Sequence, residues 1–179
     1  RTLQGLFNTS PNFNSDISGW NVGNVTNMES TFNNSGFNGD ISGWNTSSVT
    51  RMVNMFLNAS NFDQDLSSWN ISNVNNMNNM LNGSGMSVQN YDKFLISIAG
   101  QSVREEVTLG ANNLLRCLGS DARTQLIEDN DWTINDAGEL CSSENDIIAF
   151  NIPDFQVGES VIDAAAHTVT ATALNSGDL

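Results

Sequence analysis

The stretch DISGWNVGNVTNM at residues 16–28 decides how this chain must fold. Close copies follow as DISGWNTSSVTRM at 40–52 and DLSSWNISNVNNM at 65–77. The copies therefore begin 24 and 25 residues apart. A period between about 20 and 50 residues is typical of solenoids, propellers and arrays, in which one unit cannot bury its apolar face alone.

Equivalent positions of the copies carry the same kinds of apolar side chain, so we predict that these side chains stack on one another from repeat to repeat. Each large side chain buried in this way contributes roughly 2 kcal/mol. The predicted structural core consists of Trp20, Trp44, Trp69, Phe32, Phe56, Met28, Met52 and Met77.

The spacing inside one copy predicts its local structure. Apolar residues at 17, 20, 22 and 25 follow the L-x-x-L-x-L pattern of a leucine-rich repeat, which predicts a short strand. Val25, Met28 and Phe32 are then three and four residues apart, as on a helical turn. Thr26 stands where a helix N-cap belongs, and Thr26 with Glu29 fits a capping box. Each unit is therefore predicted as a short parallel strand, a short helix and a turn.

The segments FNSDISGWNVGNVTNMESTF (13–32) and FDQDLSSWNISNVNNMNNML (62–81) resemble the surface-protein repeat of BspA-like leucine-rich-repeat proteins from bacteria such as mycoplasmas, Listeria and Bacteroidota. The resemblance implies a leucine-rich-repeat-like solenoid over residues 1–86. It also implies a secreted or surface-displayed protein, often an adhesin, with no catalytic residues to carry over. Because the sequence starts in mid-pattern, we expect it to be part of a longer protein.

The repeat stops after residue 86, and the residue pattern changes there and again after residue 143. SVQNYDKFLISIA predicts a helix with Ser87 as its cap and one apolar face, and the following residues predict a strand, a helix capped near Ser120 and a second strand. We interpret residues 87–143 as a small α/β C-terminal cap. Residues 144–179 alternate apolar and polar positions and resemble the start of an immunoglobulin-like module. The predicted fold class is therefore α/β, followed by strands of an incomplete β-rich module.

The chain contains two cysteines, Cys117 and Cys141. Because the resemblance implies secretion, we expect them to form a disulfide, which would contribute roughly 3–4 kcal/mol. Two reduced thiols are the alternative, and a zinc site is the weakest interpretation because the single histidine, His167, lies in another segment.

Charge and motifs exclude several functions. Twenty acidic and six basic residues give a net charge of −14, which disfavours nucleic acids and anionic membrane surfaces. No apolar stretch approaches the roughly 20 residues of a membrane helix, so membrane contact is expected only through an anchor outside this sequence. His167 lies in a predicted strand, and no nucleophile elbow, phosphate-binding loop or paired-histidine motif is present, so we predict that the protein is not an enzyme.

The carboxylates of one aspartate column and of one acidic stretch are the candidate metal ligands in this sequence. Asp16, Asp40 and Asp65 occupy one column, where they either bond backbone amides in turns or share a cation. The acidic stretch 128–139 lacks the glycine of an EF-hand. We therefore expect no cofactor, with calcium as the weak alternative. Its candidate ligands are Asp129, Asp131 and Asp136.

Small polar residues recur between the apolar positions and would tile the concave face of a solenoid. The candidate binding residues are Ser18, Asn21, Ser42, Asn45, Ser67 and Asn70. Asn21, Asn45 and Asn70 could form an amide ladder, or the small residues could simply permit a tightly curved sheet. The predicted function is a non-enzymatic, extracellular cell-surface module that adheres to protein or glycan. The alternative is a structural spacer or filament segment whose partners are copies of itself.

Overall fold

We describe the fold from a computed structural model, which describes residues 1–141 together with the backbone of 162–163 and 168–169. The protein is α/β and divides into two units, Arg1–Ile147 and Ile148–Leu179. Most of the predicted immunoglobulin-like region, including His167, lies outside the described residues. In chain order the elements are α1 (Val88–Ala99), β1 (Thr108–Arg116), α2 (Ser120–Asn130), β2 (Thr133–Glu139), β3 (Ile162–Asp163) and β4 (Thr168–Val169). β1 pairs with β2 in parallel, and β3 pairs with β4 in antiparallel.

The repeats contain turns and single β-bridges instead of the predicted strand. Residues 17–25 bend twice, since Trp20 N–H donates to the Ile17 carbonyl and Val25 N–H to the Val22 carbonyl, at 3.1 and 2.8 Å. The sheet-like contact comes just after this stretch, at one residue per repeat. The parallel bridges join Thr2 to Asn27, Asn27 to Arg51, Arg51 to Asn76 and Met77 to Leu109.

The prediction of a short helix after Val25 is also wrong. An α-helix needs consecutive residues with φ near −60°, but every repeat has two positive-φ residues four positions apart. In the copy that begins at Asp40 these are Asn54 and Asn58, with φ of 54° and 55°. Asparagine and glycine tolerate this conformation well, which explains why both are abundant here. The two columns are Gly5, Ser30, Asn54 and Asn79, and Thr9, Asn34, Asn58 and Gly83.

Alternate N–H groups bond the next repeat instead of their own. Met28 and Phe32 donate to the carbonyls of Arg51 and Met55, both at 2.9 Å. Thr26 caps no helix, since its hydroxyl donates to the Arg1 carbonyl at 3.2 Å. Because each backbone segment uses its neighbour as a partner, one repeat alone would leave these groups unpaired.

Aromatic rings form continuous columns inside the repeats. Phe7, Phe32 and Phe56 stack with ring centroids 5.6 and 5.5 Å apart, and their planes are nearly parallel. Measured between ring centroids, Phe56 also lies 3.8 Å from Phe62 and 6.2 Å from Trp69 of the following copy. Seven of the eight predicted core residues are buried, and the exception is Trp20. The buried ones are Trp44, Trp69, Phe32, Phe56, Met28, Met52 and Met77.

Trp20 is 41% exposed, which corrects the prediction that all three tryptophans are core. The indole N–H groups of Trp44 and Trp69 donate backwards to the carbonyls of Ile17 and Ile41, at 3.2 and 3.0 Å. A tryptophan is therefore buried by the repeat that precedes its own. Within residues 1–141 the Trp20 indole N–H makes no such hydrogen bond, and its ring lies 5.8 Å from that of Phe7, measured between ring centroids.

Residues 87–141 continue the stack with regular elements. Helix α1 begins after Ser87, whose hydroxyl accepts from Asn90 N–H, and its predicted apolar face is buried. Strand β1 lies on the last repeat, where Leu81 N–H donates to the Gly110 carbonyl and Gly110 N–H to Met77. A Cβ at Gly110 would lie 2.4 Å from the Asn79 nitrogen, so only glycine permits this approach.

Two links hold this segment together. Cys117 and Cys141 form the expected disulfide. Helix α2 begins at Ser120, close to the predicted position. No side-chain hydrogen bond caps it, because its N-cap residue is Gly119. Instead the buried carboxylate of Asp92, on α1, accepts the N–H groups of Cys117, Leu118 and Gly119. No helix in the described part of the chain is long and apolar enough to cross a membrane.

Candidate interaction surface of the repeats

The predicted binding residues lie on a row of turns and not on the face of a strand. Asn21, Asn45 and Asn70 are exposed, as is Ser18, whereas Ser42 and Ser67 are half-buried. Consecutive copies touch here, because Ser68 Oγ donates to the Ser42 carbonyl at 2.6 Å. We call this surface the turn face; it comprises Ser18, Asn21, Ser42, Asn45, Ser67 and Asn70.

The three asparagines of the turn face do not bond one another, so the amide ladder suggested for them is absent. Each Oδ1 closes a local turn by accepting the N–H two residues later, from Gly23, Ser47 and Ser72 at 3.2, 3.1 and 3.0 Å. None of the three Nδ2 groups has an acceptor within residues 1–141. The turn face therefore offers one unengaged amide donor per repeat.

The aspartate column also closes turns. Asp16, Asp40 and Asp65 accept the N–H groups of Ser18, Ser42 and Ser67, each at 2.9 Å. Hydrogen bonds from the side chains and backbone of Ser18 and Ser42 lower the pKa values of Asp16 and Asp40. Partial burial opposes ionisation of Asp65, but bonds from Ser67 and Lys93 outweigh it and lower its pKa.

A second surface carries the parallel bridges and was not singled out from the sequence. It is charged, since Arg51 pairs with Glu29 at 2.9 Å, and its amide side chains bond each other, as in Asn27 Nδ2 to Gln4 Oε1 at 3.2 Å. We call this surface the bridge face; its exposed and half-buried members are Asn27, Glu29, Arg51, Asn76 and Asn78. Asn27 and Arg51 donate to Gln4 and Glu29 on this face, whereas the side-chain amides of Asn76 and Asn78 donate to no acceptor within residues 1–141.

A polar ladder that links consecutive repeats was also missed. The Oδ1 atoms of Asn14, Asn38 and Asp63 accept the N–H groups of Asn38, Asp63 and Ser87, all at 2.8 Å. Asp63 also accepts from the Ser87 hydroxyl and the Asn90 amide, so its negative charge lies at the N-terminus of α1. The repeated Phe-Asn and Phe-Asp dipeptides were the signal that could have revealed it.

The calcium candidates do not form a site. Asp136 is buried and bonds Arg116 and Arg123 at 2.7 and 3.1 Å, so its charge is already compensated. Asp131 ends α2 in a left-handed conformation, and Asp129 is exposed on that helix. No group of three or more metal-binding side chains occurs among the described residues. Tyr91 donates to Asp136, and its burial, together with that carboxylate, raises its pKa.

Comparison with known proteins gives one match. Residues 1–94, just over half of the chain, match a family model described as "Mycoplasma protein of unknown function, DUF285". The match indicates a bacterial surface-protein repeat and extends from the first repeat into α1. No curated protein and no solved structure matches the chain significantly.

Proposed function

Because the chain belongs to the family described as Mycoplasma protein of unknown function, DUF285, we propose that it is a non-enzymatic interaction module of a larger bacterial surface protein. In this proposal the repeats are a leucine-rich-repeat-like solenoid of the BspA-like kind, and residues 87–143 are its C-terminal cap. The proposed module is extracellular and adheres to protein or glycan. Residues 144–179 are proposed to begin an immunoglobulin-like module.

The observation that carries the proposal is the row of unengaged amide donors on the turn face. Asn21, Asn45 and Asn70 are exposed, uncharged and fixed in orientation, because each Oδ1 is held by its own turn. Such donors suit the hydroxyl, carbonyl or amide oxygens of a glycan or an extended peptide. The face lacks the aromatic and arginine residues of tight interfaces, so one module should bind weakly and depend on many copies.

The extracellular location has independent support. Disulfides persist in oxidising compartments and are rare in the cytosol, and Cys117 and Cys141 are paired. A net charge of −14 and a surface of short polar side chains suit a displayed protein that must not aggregate.

The test uses isosteric changes on the full chain, displayed in many copies on beads and applied to a glycan array and to extracellular-matrix proteins. Changing Asn21, Asn45 and Asn70 to Asp keeps each turn acceptor but removes the three donors. We expect binding to be lost while the thermal midpoint stays close to that of the parent.

The matched control changes three other exposed asparagines to Asp, and so adds the same charge elsewhere. Binding retained in this control and lost in the turn-face variant supports the proposal. Equal loss in both variants would contradict it. The control positions are Asn61, Asn75 and Asn78, whose side chains make no hydrogen bond within residues 1–141.

A structural spacer is the second candidate, favoured by the continuous ladder of Asn14, Asn38 and Asp63 that ties the repeats together. Reversible self-assembly of the parent at micromolar concentration, without ligand, would support the filament form of this candidate. Sedimentation velocity over a range of protein concentrations measures it.

A further inference from the structure

The sequence contains two Asn-Gly dipeptides, at residues 38–39 and 82–83. In such a pair the backbone nitrogen of the glycine can attack the side-chain amide carbon of the asparagine, because glycine has no Cβ to hinder the approach. The attack expels ammonia and leaves an acid in place of the amide. The two pairs have opposite hydrogen-bond environments, so they should differ in this reactivity.

The side chain of Asn38 is held in a way that activates its amide carbon. Its Oδ1 accepts the Asp63 N–H and the Gln64 amide Nε2, both at 2.8 Å. Two donors on a carbonyl oxygen stabilise the negative charge that develops on that oxygen when its carbon is attacked. The Asn38 Nδ2, which is the group that would leave, donates to no acceptor within residues 1–141.

The peptide group between Asn38 and Gly39 is activated as well. Gln64 Nε2 also donates to the backbone carbonyl of Asn38 at 3.0 Å, and this carbonyl belongs to the same peptide group as the Gly39 nitrogen. When that nitrogen loses its proton, the charge spreads onto the carbonyl oxygen, so the hydrogen bond favours the deprotonated form. The Gly39 N–H has no hydrogen-bond partner within residues 1–141, and its deprotonation there breaks no bond.

At the second pair, every group that would react is engaged. Asn82 Oδ1 accepts the Asn112 N–H at 3.0 Å, and its Nδ2 donates to Asn79 Oδ1 at 2.9 Å. The Gly83 N–H donates to Asn113 Oδ1. Both the attacking nitrogen and the leaving group are therefore occupied, and the contact between the last repeat and β1 must open before Asn82 can react.

We propose that Asn38 is a self-modifying site, at which the folded chain converts asparagine to an acid with Gln64 as the activating residue. The Gly39 nitrogen gives its proton to water or a buffer base and bonds to Asn38 Cγ. The Cγ–Nδ2 bond breaks, and Nδ2 takes up a proton and leaves as ammonia. Water then opens the cyclic imide at either carbonyl, which yields aspartate or isoaspartate. The reaction consumes water, releases ammonia and needs no oxidant or cofactor.

The fold already accommodates one of these products. The next member of the polar ladder, Asp63, is a carboxylate whose Oδ1 accepts the Ser87 N–H at 2.8 Å, just as Asn38 Oδ1 accepts the Asp63 N–H. Aspartate at position 38 would keep this hydrogen bond and add a negative charge to the ladder, whereas isoaspartate would lengthen the main chain there. The proposal does not depend on the ligand proposed for the turn face.

The test follows both Asn-Gly pairs by peptide mass spectrometry while the full chain is incubated in mildly alkaline buffer, with and without denaturant. Denaturant removes the tertiary contacts, so both asparagines should then react at similar rates. Under native conditions we expect Asn38 to react at least as fast as in denaturant. Asn82 should react at least about tenfold more slowly than in denaturant, because it waits for local opening. A native rate at Asn38 below its rate in denaturant would overturn the proposal.

A variant separates activation by Gln64 from a structural role. Gln64→Met removes both donated hydrogen bonds and keeps a side chain of similar length. We expect the native conversion of Asn38 to fall at least about tenfold, while its rate in denaturant and the rate at Asn82 stay unchanged. A merely structural role would give the opposite result, because a loosened loop reacts faster. An unchanged or faster native rate at Asn38 in this variant would therefore overturn the proposal.

Discussion

Residues 1–86 and residues 87–141 both bury their large apolar side chains, but their backbone hydrogen bonds run in different directions. In the repeats, alternate N–H groups donate to the next copy, so the same interface provides both the backbone hydrogen bonds and the side-chain packing. In the C-terminal segment, α1 and α2 satisfy most of their own backbone groups, and a disulfide and buried carboxylates join the pieces. The first region should therefore depend on neighbours, and the second on particular cross-links.

The largest effect should come from removing one ring from the repeats. Trp44→Ala deletes a buried indole together with its hydrogen bond to Ile17, and we expect a loss of about 3–5 kcal/mol in the free energy of unfolding. Trp20→Ala is the matched control, because that ring is 41% exposed and should cost clearly less. Urea denaturation measures both, and equal losses would contradict the description of the stack.

Removing the disulfide should weaken the C-terminal segment selectively. Cys117→Ser with Cys141→Ser opens a loop with a sequence separation of 24, for a loss of about 3 kcal/mol. Native-state hydrogen exchange should show faster exchange in α1, β1, α2 and β2 while the amides of residues 28–58 keep their protection. Uniform loss of protection over both regions would show that they unfold as one unit.

The junction between the two regions can be opened by a single methyl group. Gly110→Ala places a Cβ against the backbone of Asn79, and we expect a loss of about 1–3 kcal/mol as β1 moves away from the last repeat. Gly43→Ala is the control, since nothing lies within 4 Å of its Cβ position. Thermal melts of both variants should differ by several degrees, and a neutral Gly110→Ala would contradict this contact.

A smaller effect is expected from the polar ladder of the repeats. Asn38→Ala removes the acceptor of the Asp63 N–H and the Gln64 amide, both at 2.8 Å, for a loss of about 1–2 kcal/mol. Asn78→Ala, at an exposed position outside the ladder, should be nearly neutral. Chemical denaturation compares the two, and no difference between them would rule out a stabilising role for the ladder.

The smallest effect is expected for the loss of thermal stability at acidic pH. The pKa values of Asp16, Asp40 and Asp65 are lowered in the folded protein from 3.8, so their contribution to stability is complete above that value and is lost as the pH falls through their folded pKa values. Thermal midpoints measured from about pH 6 to pH 2.5 should decline below about pH 4. A variant with all three changed to Asn, which keeps the turn acceptor, should decline less steeply than the parent.

Much of the fold was predictable because the repeat period and the apolar columns are global signals. The burial of Trp44, Met52 and Phe56, the apolar face of α1 and the disulfide all followed from positions that recur or pair. Local conformation was not predictable in the same way. The spacing of Val25, Met28 and Phe32 is compatible with a helix, and only the neighbouring copy provides partners for the N–H groups of Met28 and Phe32 in a different conformation.

For the candidate surface, too, some properties followed from the sequence and others only from the tertiary structure. The sequence by itself determined that small polar side chains recur at Asn21, Asn45 and Asn70 and must lie outside the core. Only the tertiary structure decided that their oxygens close turns while their amide donors stay unengaged, and that Asp136 is taken by two arginines. The physical reason is that burial is encoded residue by residue in hydrophobicity, whereas hydrogen-bond partners that are distant in the sequence, such as the two arginines of Asp136, come together only once the chain has folded.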